Sequence, residues 1–168
     1  MLIRVVVLFA LASCQAKGEA PGAPQAIEVR DASGAVLASI VPGTPCSATI
    51  AGAAVDLSGW TADRRPNGTL IAHAGATVAR VYGHDATLSV FDAHGVPLLR
   101  LDAHQGAVDV ADGGRKLLRR AVMSGEVIVV DNPPATVTGT RDVELAALLA
   151  SPELTAQVRA LATCDRTS

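Results

Sequence analysis

Four stretches of this chain can be laid over one another. Val29-Arg30-Asp31-Ala32-Ser33-Gly34-Ala35-Val36-Leu37 matches Val90-Phe91-Asp92-Ala93-His94-Gly95-Val96-Pro97-Leu98. Val110-Ala111-Asp112-Gly113-Gly114-Arg115-Lys116-Leu117-Leu118 keeps the same frame, and the stretch from Leu70 to Arg80 follows it without the aspartate. The last three begin at positions 70, 90 and 110, a period of twenty residues. Each copy is an apolar run, a turn with Asp or Gly, and a second apolar run. A short acidic side chain can bond the turn backbone and glycine accepts positive φ, so the unit predicts a β-hairpin.

Strands about ten residues apart on short turns make an antiparallel meander, since parallel strands need long crossovers. Further strands are expected near 46–50, 53–57, 126–130 and 136–138, for ten to twelve in all. Many carry apolar residues on both faces, as at Val78, Ala79 and Val81 or Leu98, Leu99 and Leu101. Such strands want cover on both sides, which predicts a barrel or a two-layered sheet. The cover is expected at the C-terminus. Asp142 is placed to cap a helix carrying Leu145, Leu148 and Leu149. Ser151-Pro152 is placed to open a second one with Leu154, Val158 and Leu161 on one stripe. Helices packed on or in the sheet complete a mainly β fold.

The hairpins at 29–37 and 90–98, read as V-x-D-x-x-G-x-x-L, and the apolar C-terminal helix resemble the tubby and LURP-one family. That resemblance implies a barrel around a helix, with binding to phosphoinositides or membranes.

The N-terminus has a different character. Met1-Leu2-Ile3-Arg4 is followed by an apolar run from Val5 to Leu11, then Ala12-Ser13-Cys14, which is the three-part pattern of an export signal. The run is shorter than the ~20 residues of a bilayer-spanning helix. Leu11-Ala12-Ser13-Cys14 resembles the lipobox of bacterial lipoproteins, a leucine and two small residues before an invariant cysteine. The resemblance implies cleavage before Cys14, a diacylglycerol on its sulfur and a further acyl group, commonly palmitate, on the new amine. Gln15 after the cysteine implies the outer membrane of a Gram-negative cell, facing the periplasm or the outside. The alternatives are an ordinary cleaved signal or a buried first strand. Residues 1–13 are thus read as the signal, 14–26 as lipidated cysteine plus a Gly- and Pro-rich tether, and 27–168 as one β-rich domain.

With Cys14 taken by lipid, Cys46 and Cys164 remain, an even pair in an oxidising compartment. A disulfide between them is expected, the alternative being two buried thiols. Without Arg4, thirteen basic side chains face sixteen acidic ones (14 − 1 against 16), too balanced for a nucleic-acid partner. After the signal the aromatics are Trp60, Tyr82 and Phe91, too few for stacking platforms for sugars or single strands. Trp60 precedes a stretch at 61–68 read as a loop.

Two sets of side chains invite chemistry. His84 and His104 fall at turns on one end of the meander, with Asp85 and Asp102 nearby, while His73 and His94 fall at the other. They are read either as polar turn residues or as metal ligands, and no metal or cofactor is assigned. Arg80, Arg100 and Arg120 occupy equivalent places in successive hairpins, roughly 10 Å apart if the register holds. They are read either as an anion-gripping row or as a solvated row paired with aspartates. No nucleophile elbow, metalloprotease helix or phosphate loop is present, and no catalytic residue is assigned. The expected function is a non-enzymatic, lipid-anchored envelope protein with a structural or partner-binding role. The alternatives are a binder of lipid or another anionic ligand, and a metal-dependent hydrolase.

Overall fold

The computed structural model describes residues 25–167. It contains β1 (Ile27–Asp31), β2 (Val36–Val41), β3 (Ser47–Ile50), β4 (Ala53–Ala54), β5 (Trp60–Arg65), β6 (Gly68–His73) and β7 (Ala76–His84). These are followed by β8 (Thr87–Asp92), β9 (Pro97–His104), β10 (Ala107–Asp112), β11 (Leu117–Ser124), β12 (Val127–Asp131) and β13 (Pro134–Thr138). Two helices end the chain, α1 (Val143–Leu149) and α2 (Ala156–Thr167). The meander is as the hairpin period predicts, with thirteen strands in place of ten to twelve, and two helices follow where the C-terminal leucine stripes place them. The stretch at 61–68 differs from its reading as a loop. Trp60 to Arg65 pairs residue for residue with β6, ending in a two-residue turn at Pro66-Asn67.

All thirteen strands form one antiparallel sheet in the order β4-β3-β2-β1-β13-β12-β11-β10-β9-β8-β7-β6-β5. The first strand therefore lies inside the sheet, against the last. The two edges are β4 and β5, neighbours in sequence that do not pair, so the sheet does not close into a barrel. It does curl. From β3 to β5 is eleven places in that order, which laid flat would span about 50 Å at ~4.8 Å per strand. Yet α2, twelve residues and so about 18 Å long, contacts β2 and β3 as well as β5 and β6.

The strands curl around the helices. Inward positions alternate down each strand: Ile27 and Val29, Leu88 and Val90, Leu99 and Leu101, Val108 and Val110, Ile128 and Val130 are all at most 2 % exposed. From α1 they meet Leu145, Ala146, Ala147, Leu148 and Leu149, none more than 1 % exposed. A short helix that is apolar nearly all round belongs in a core. The predicted cover thus exists on the inner side. The outer side keeps apolar residues at the surface, among them Val122 and Val129, which face each other across β11 and β12.

The helix starts follow local chemistry. Asp142 caps α1, accepting a bond from the Leu145 N–H at 2.9 Å. Ser151 differs from its reading as the cap of α2. It is buried and its hydroxyl donates back to Ala147 O at 2.7 Å, while Thr155 Oγ1 accepts from Val158 N–H and opens α2 four residues later. Pro152 sits in the turn between them, where Leu154 N–H bonds Ser151 O.

The repeat is real in three dimensions. Asp31 Oδ1 accepts from the N–H groups of Ser33 and Ala35, and Asp92 Oδ1 accepts from those of His94 and Val96. Asp112 Oδ1 accepts from Lys116 N–H. In each turn the residue three places after the aspartate has positive φ: Gly34 at 86°, Gly95 at 85° and Arg115 at 65°. Each hairpin then slips its register by one, after Val29, Val90 and Val110, as a bulge of this kind requires. The Leu70 copy uses a shorter turn, with Ala74 and Gly75 both at positive φ.

Candidate functional site

Residues 1–13, read from the sequence as an export signal, and Cys14 lie outside the described residues. Cys46 and Cys164 do not: they form a disulfide, with Cα atoms 6.1 Å apart and 118 residues of separation. Cys46 precedes β3 near one edge of the sheet and Cys164 lies in α2. The bond therefore pins the helix across the sheet's opening. On the chain-entropy model a loop of this length is worth about 4–5 kcal/mol.

The three arginines share the outer face but not a row. Arg100 is opposite Ser89, which is opposite Tyr82 rather than Arg80. Arg120 is opposite Asp109, which is opposite Asp102 rather than Arg100. Crossing two strands advances the register by eighteen residues (82 to 100, 102 to 120), whereas the arginines recur every twenty. Each is displaced two residues along the strands from the one before, so neighbours are roughly 12 Å apart on a diagonal. Two of them pair with aspartates: Arg100 Nε with Asp102 at 2.7 Å, and Arg120 Nε with Asp109 at 3.2 Å. Arg100 and Arg120 are thus half-exposed and paired, and the straight row at roughly 10 Å spacing becomes a diagonal. Arg80 makes no ion pair among the described residues.

The histidines are likewise dispersed. His84 and His104 do share an end, at the turns 85–86 and 105–106. His84 Nδ1 lies 2.9 Å from its neighbour Asp85, both almost fully solvated. His104 is held in the sheet: Nδ1 lies 3.2 Å from Asp102 O, and Nε2 lies 2.6 Å from Arg120 Nη2 and 3.5 Å from Asp109 Oδ2. His73, at the other end, stacks on Trp60 with ring centroids 4.8 Å apart, and the Trp60 ring packs against the core. Among the described residues no group of three or more His, Cys, Asp or Glu is gathered to hold a metal ion.

Two arginines that motif reading passed over have defined places. Arg119 follows Leu118 and precedes Arg120, so strand alternation turns it inward, and it is only 4 % exposed. It pairs with Glu153 and donates to Ala150 O at 3.0 Å, the residue that ends α1. Arg159 donates to Leu149 O at 3.3 Å. Burial pulls the Arg159 guanidinium down from its ordinary pKa, against the nearby Glu153. Both cations serve carbonyls that the helix leaves without partners, at the negative end of its dipole. The signal was the Arg119-Arg120 pair itself, since adjacent strand residues cannot face the same side.

Arg115 is a third. It holds the left-handed turn position that costs a non-glycine residue roughly 1 kcal/mol or more. It lines a cavity of about 260 Å³ on the outer face, together with Ser89, Phe91, Pro97, Arg100 and Asp112. Gly113 lets the two turns approach, because a Cβ there would stand 2.0 Å from Pro97 O. The Arg100 guanidinium holds the Asp102 carboxyl below its usual range, with help from the Thr87 hydroxyl and the charges of Arg100 and Arg115.

No family model, no curated protein and no solved structure matches the chain. What defines it is its architecture: a single curled sheet of repeated hairpins, disulfide-pinned and filled by its own helices, with two inner arginines at the end of α1 and the other charges mostly on the outside.

Proposed function

We propose that the protein is a non-enzymatic, lipid-anchored component of the bacterial cell envelope that binds a partner protein through the outside of its sheet. Cys14 carries the lipid and residues 14–26 form the leash. Several acyl chains would hold it stably, at ~0.8 kcal/mol per buried CH₂. The observation that carries this reading is the use of the concave side. The inner face, where a curled sheet would otherwise house a ligand, is packed with Leu145, Leu148, Leu149, Val158 and Leu161. Recognition is left to the outer face, where Val122, Val129 and Leu98 are 37–42 % exposed.

The anchor also suggests an orientation. Strand β1 starts beside Thr138, at the end that carries the turns 85–86, 105–106 and 125–126. Lipid on Cys14 would attach the domain through that end, the end opposite the three aspartate turns, with the leash setting how far it reaches from the membrane. Two measurements test the proposal. A Cys14→Ala variant should lose labelling by a palmitate analogue and leave the membrane fraction; persistence of both would sink the anchor. A photo-crosslinker at Val129 should yield a discrete protein adduct in native envelopes, one that a crosslinker at solvent-exposed His84 does not give. Equal or absent adducts at both positions would sink the partner surface.

A second reading, binding of an anionic ligand, is favoured by the cavity beside Arg100 and Arg115.

A further inference from the structure

The three aspartate turns supply an internal control for that cavity. At the left-handed position two of them use Gly34 and Gly95, and the third uses Arg115. The backbone there asks for glycine, so a long cationic side chain is kept against local preference. Its guanidinium makes no hydrogen bond or ion pair among the described residues, and it lines the cavity. Arg100 lines the same space. Its Nε is held by both Asp102 oxygens, at 3.0 and 2.7 Å, and its Nη2 is 3.5 Å from Thr87 Oγ1. That leaves Nη1 without a hydrogen-bond partner among the described residues and fixes the orientation of the planar group. Asp112, also on the wall, is engaged through Oδ1 by the Lys116 N–H, and Asp102 by Arg100. The other residues that line it include Phe91, Pro97 and Ser89.

We infer that this cavity binds a small oxyanion, a phosphate monoester or carboxylate, carried on an aromatic or short apolar body. Arg115 and the free end of Arg100 take the oxygens with charge-assisted bonds, Ser89 donates a third, and the body rests on Phe91 and Pro97. One arginine is held rigid by Asp102 while the other is free to close over the ligand. The site does not depend on the lipid anchor or on the partner surface, and either can fail without it.

The test uses the full chain at low ionic strength, titrated calorimetrically with phenyl phosphate, benzoate and inorganic phosphate. Phenyl phosphate should saturate and bind roughly tenfold more tightly than inorganic phosphate, the difference being the ring's contact with Phe91. Arg115→Gly gives this turn the residue its two sister turns use. It should keep or raise the melting temperature while weakening phenyl phosphate roughly tenfold or more. Arg100→Gln should weaken it similarly. Flotation with phosphatidylcholine vesicles, with and without phosphatidic acid, separates the sources. Arg115-dependent binding to the acidic vesicles assigns the oxyanion to a lipid headgroup, and binding of the soluble ester alone assigns it to a diffusible ligand. Parent-like affinity in Arg115→Gly, or no saturable binding by any of these probes, overturns the inference.

Discussion

Arg119 and Arg120 are adjacent in the chain and live in different media. Arg119 points into the curl at 4 % exposure, paired with Glu153 and bonded to the last carbonyl of α1. Arg120 points outward, its side chain 46 % exposed, sharing Asp109 and His104 with solvent. The difference separates two jobs. Inside, the charge is held by Glu153 and the Ala150 carbonyl through its terminal nitrogens, although its Nε is buried without a partner, and it marks where the helix stops. Outside, charges are cheap and interchangeable, and they become specific only where the register gathers them, as at Arg100 and Arg115.

Removing the inner charge should have the largest effect. Arg119→Ala leaves Ala150 O and Glu153 without their cation, and about 2–4 kcal/mol of unfolding free energy should be lost, at the lower end because Glu153 keeps some water. Urea unfolding measures this, and a loss below ~1 kcal/mol would mean that Arg119 contributes no more than an exposed arginine. An intermediate effect is expected on the acid side, from the outer face. The folded Asp102 carboxyl lies below its usual pKa, chiefly through its bond from Arg100. Its contribution is therefore present above the unfolded value near ~4 and is lost as pH falls through the lower folded value. Asp102→Asn should flatten the fall in stability below pH ~4 and leave the remainder of the profile parallel to the parent's. An unchanged acid limb would mean that the Arg100 pair contributes nothing. The smallest effect belongs to Arg120→Ala, expected to cost under ~1 kcal/mol and to fade with added salt.

The legible part of the fold was whatever its own segment decides. The turn at Asp92 was readable because the aspartate and Gly95 act within five residues. The Asp142 cap was readable for the same reason. Strand β5 was not. Thr61-Ala62-Asp63-Arg64-Arg65 has little apolar alternation, because an edge strand with both faces wet needs none, and charge there guards against stray pairing. Arg100 was singled out for a place in a straight row, whereas its pairing gave it Asp102 and a cavity shared with Arg115. Arg115 itself left no readable sign beyond standing where a glycine stands in two sister turns.

By itself, then, the sequence determined the hairpins, their alternation of faces, the apolar helices meant to cover them and the arithmetic that left Cys46 and Cys164 as a pair. Those follow from turn chemistry and side-chain period, which are local. Tertiary structure decided that β1 lies beside β13, that β4 and β5 are the edges, and that the arginines run diagonally. It also decided that the two cysteines meet across the opening. The physical reason is that register and closure are sums over the whole sheet. A mismatch of two residues between an eighteen-residue structural step and a twenty-residue repeat is invisible within any one hairpin, yet it moves every outer side chain relative to its counterparts.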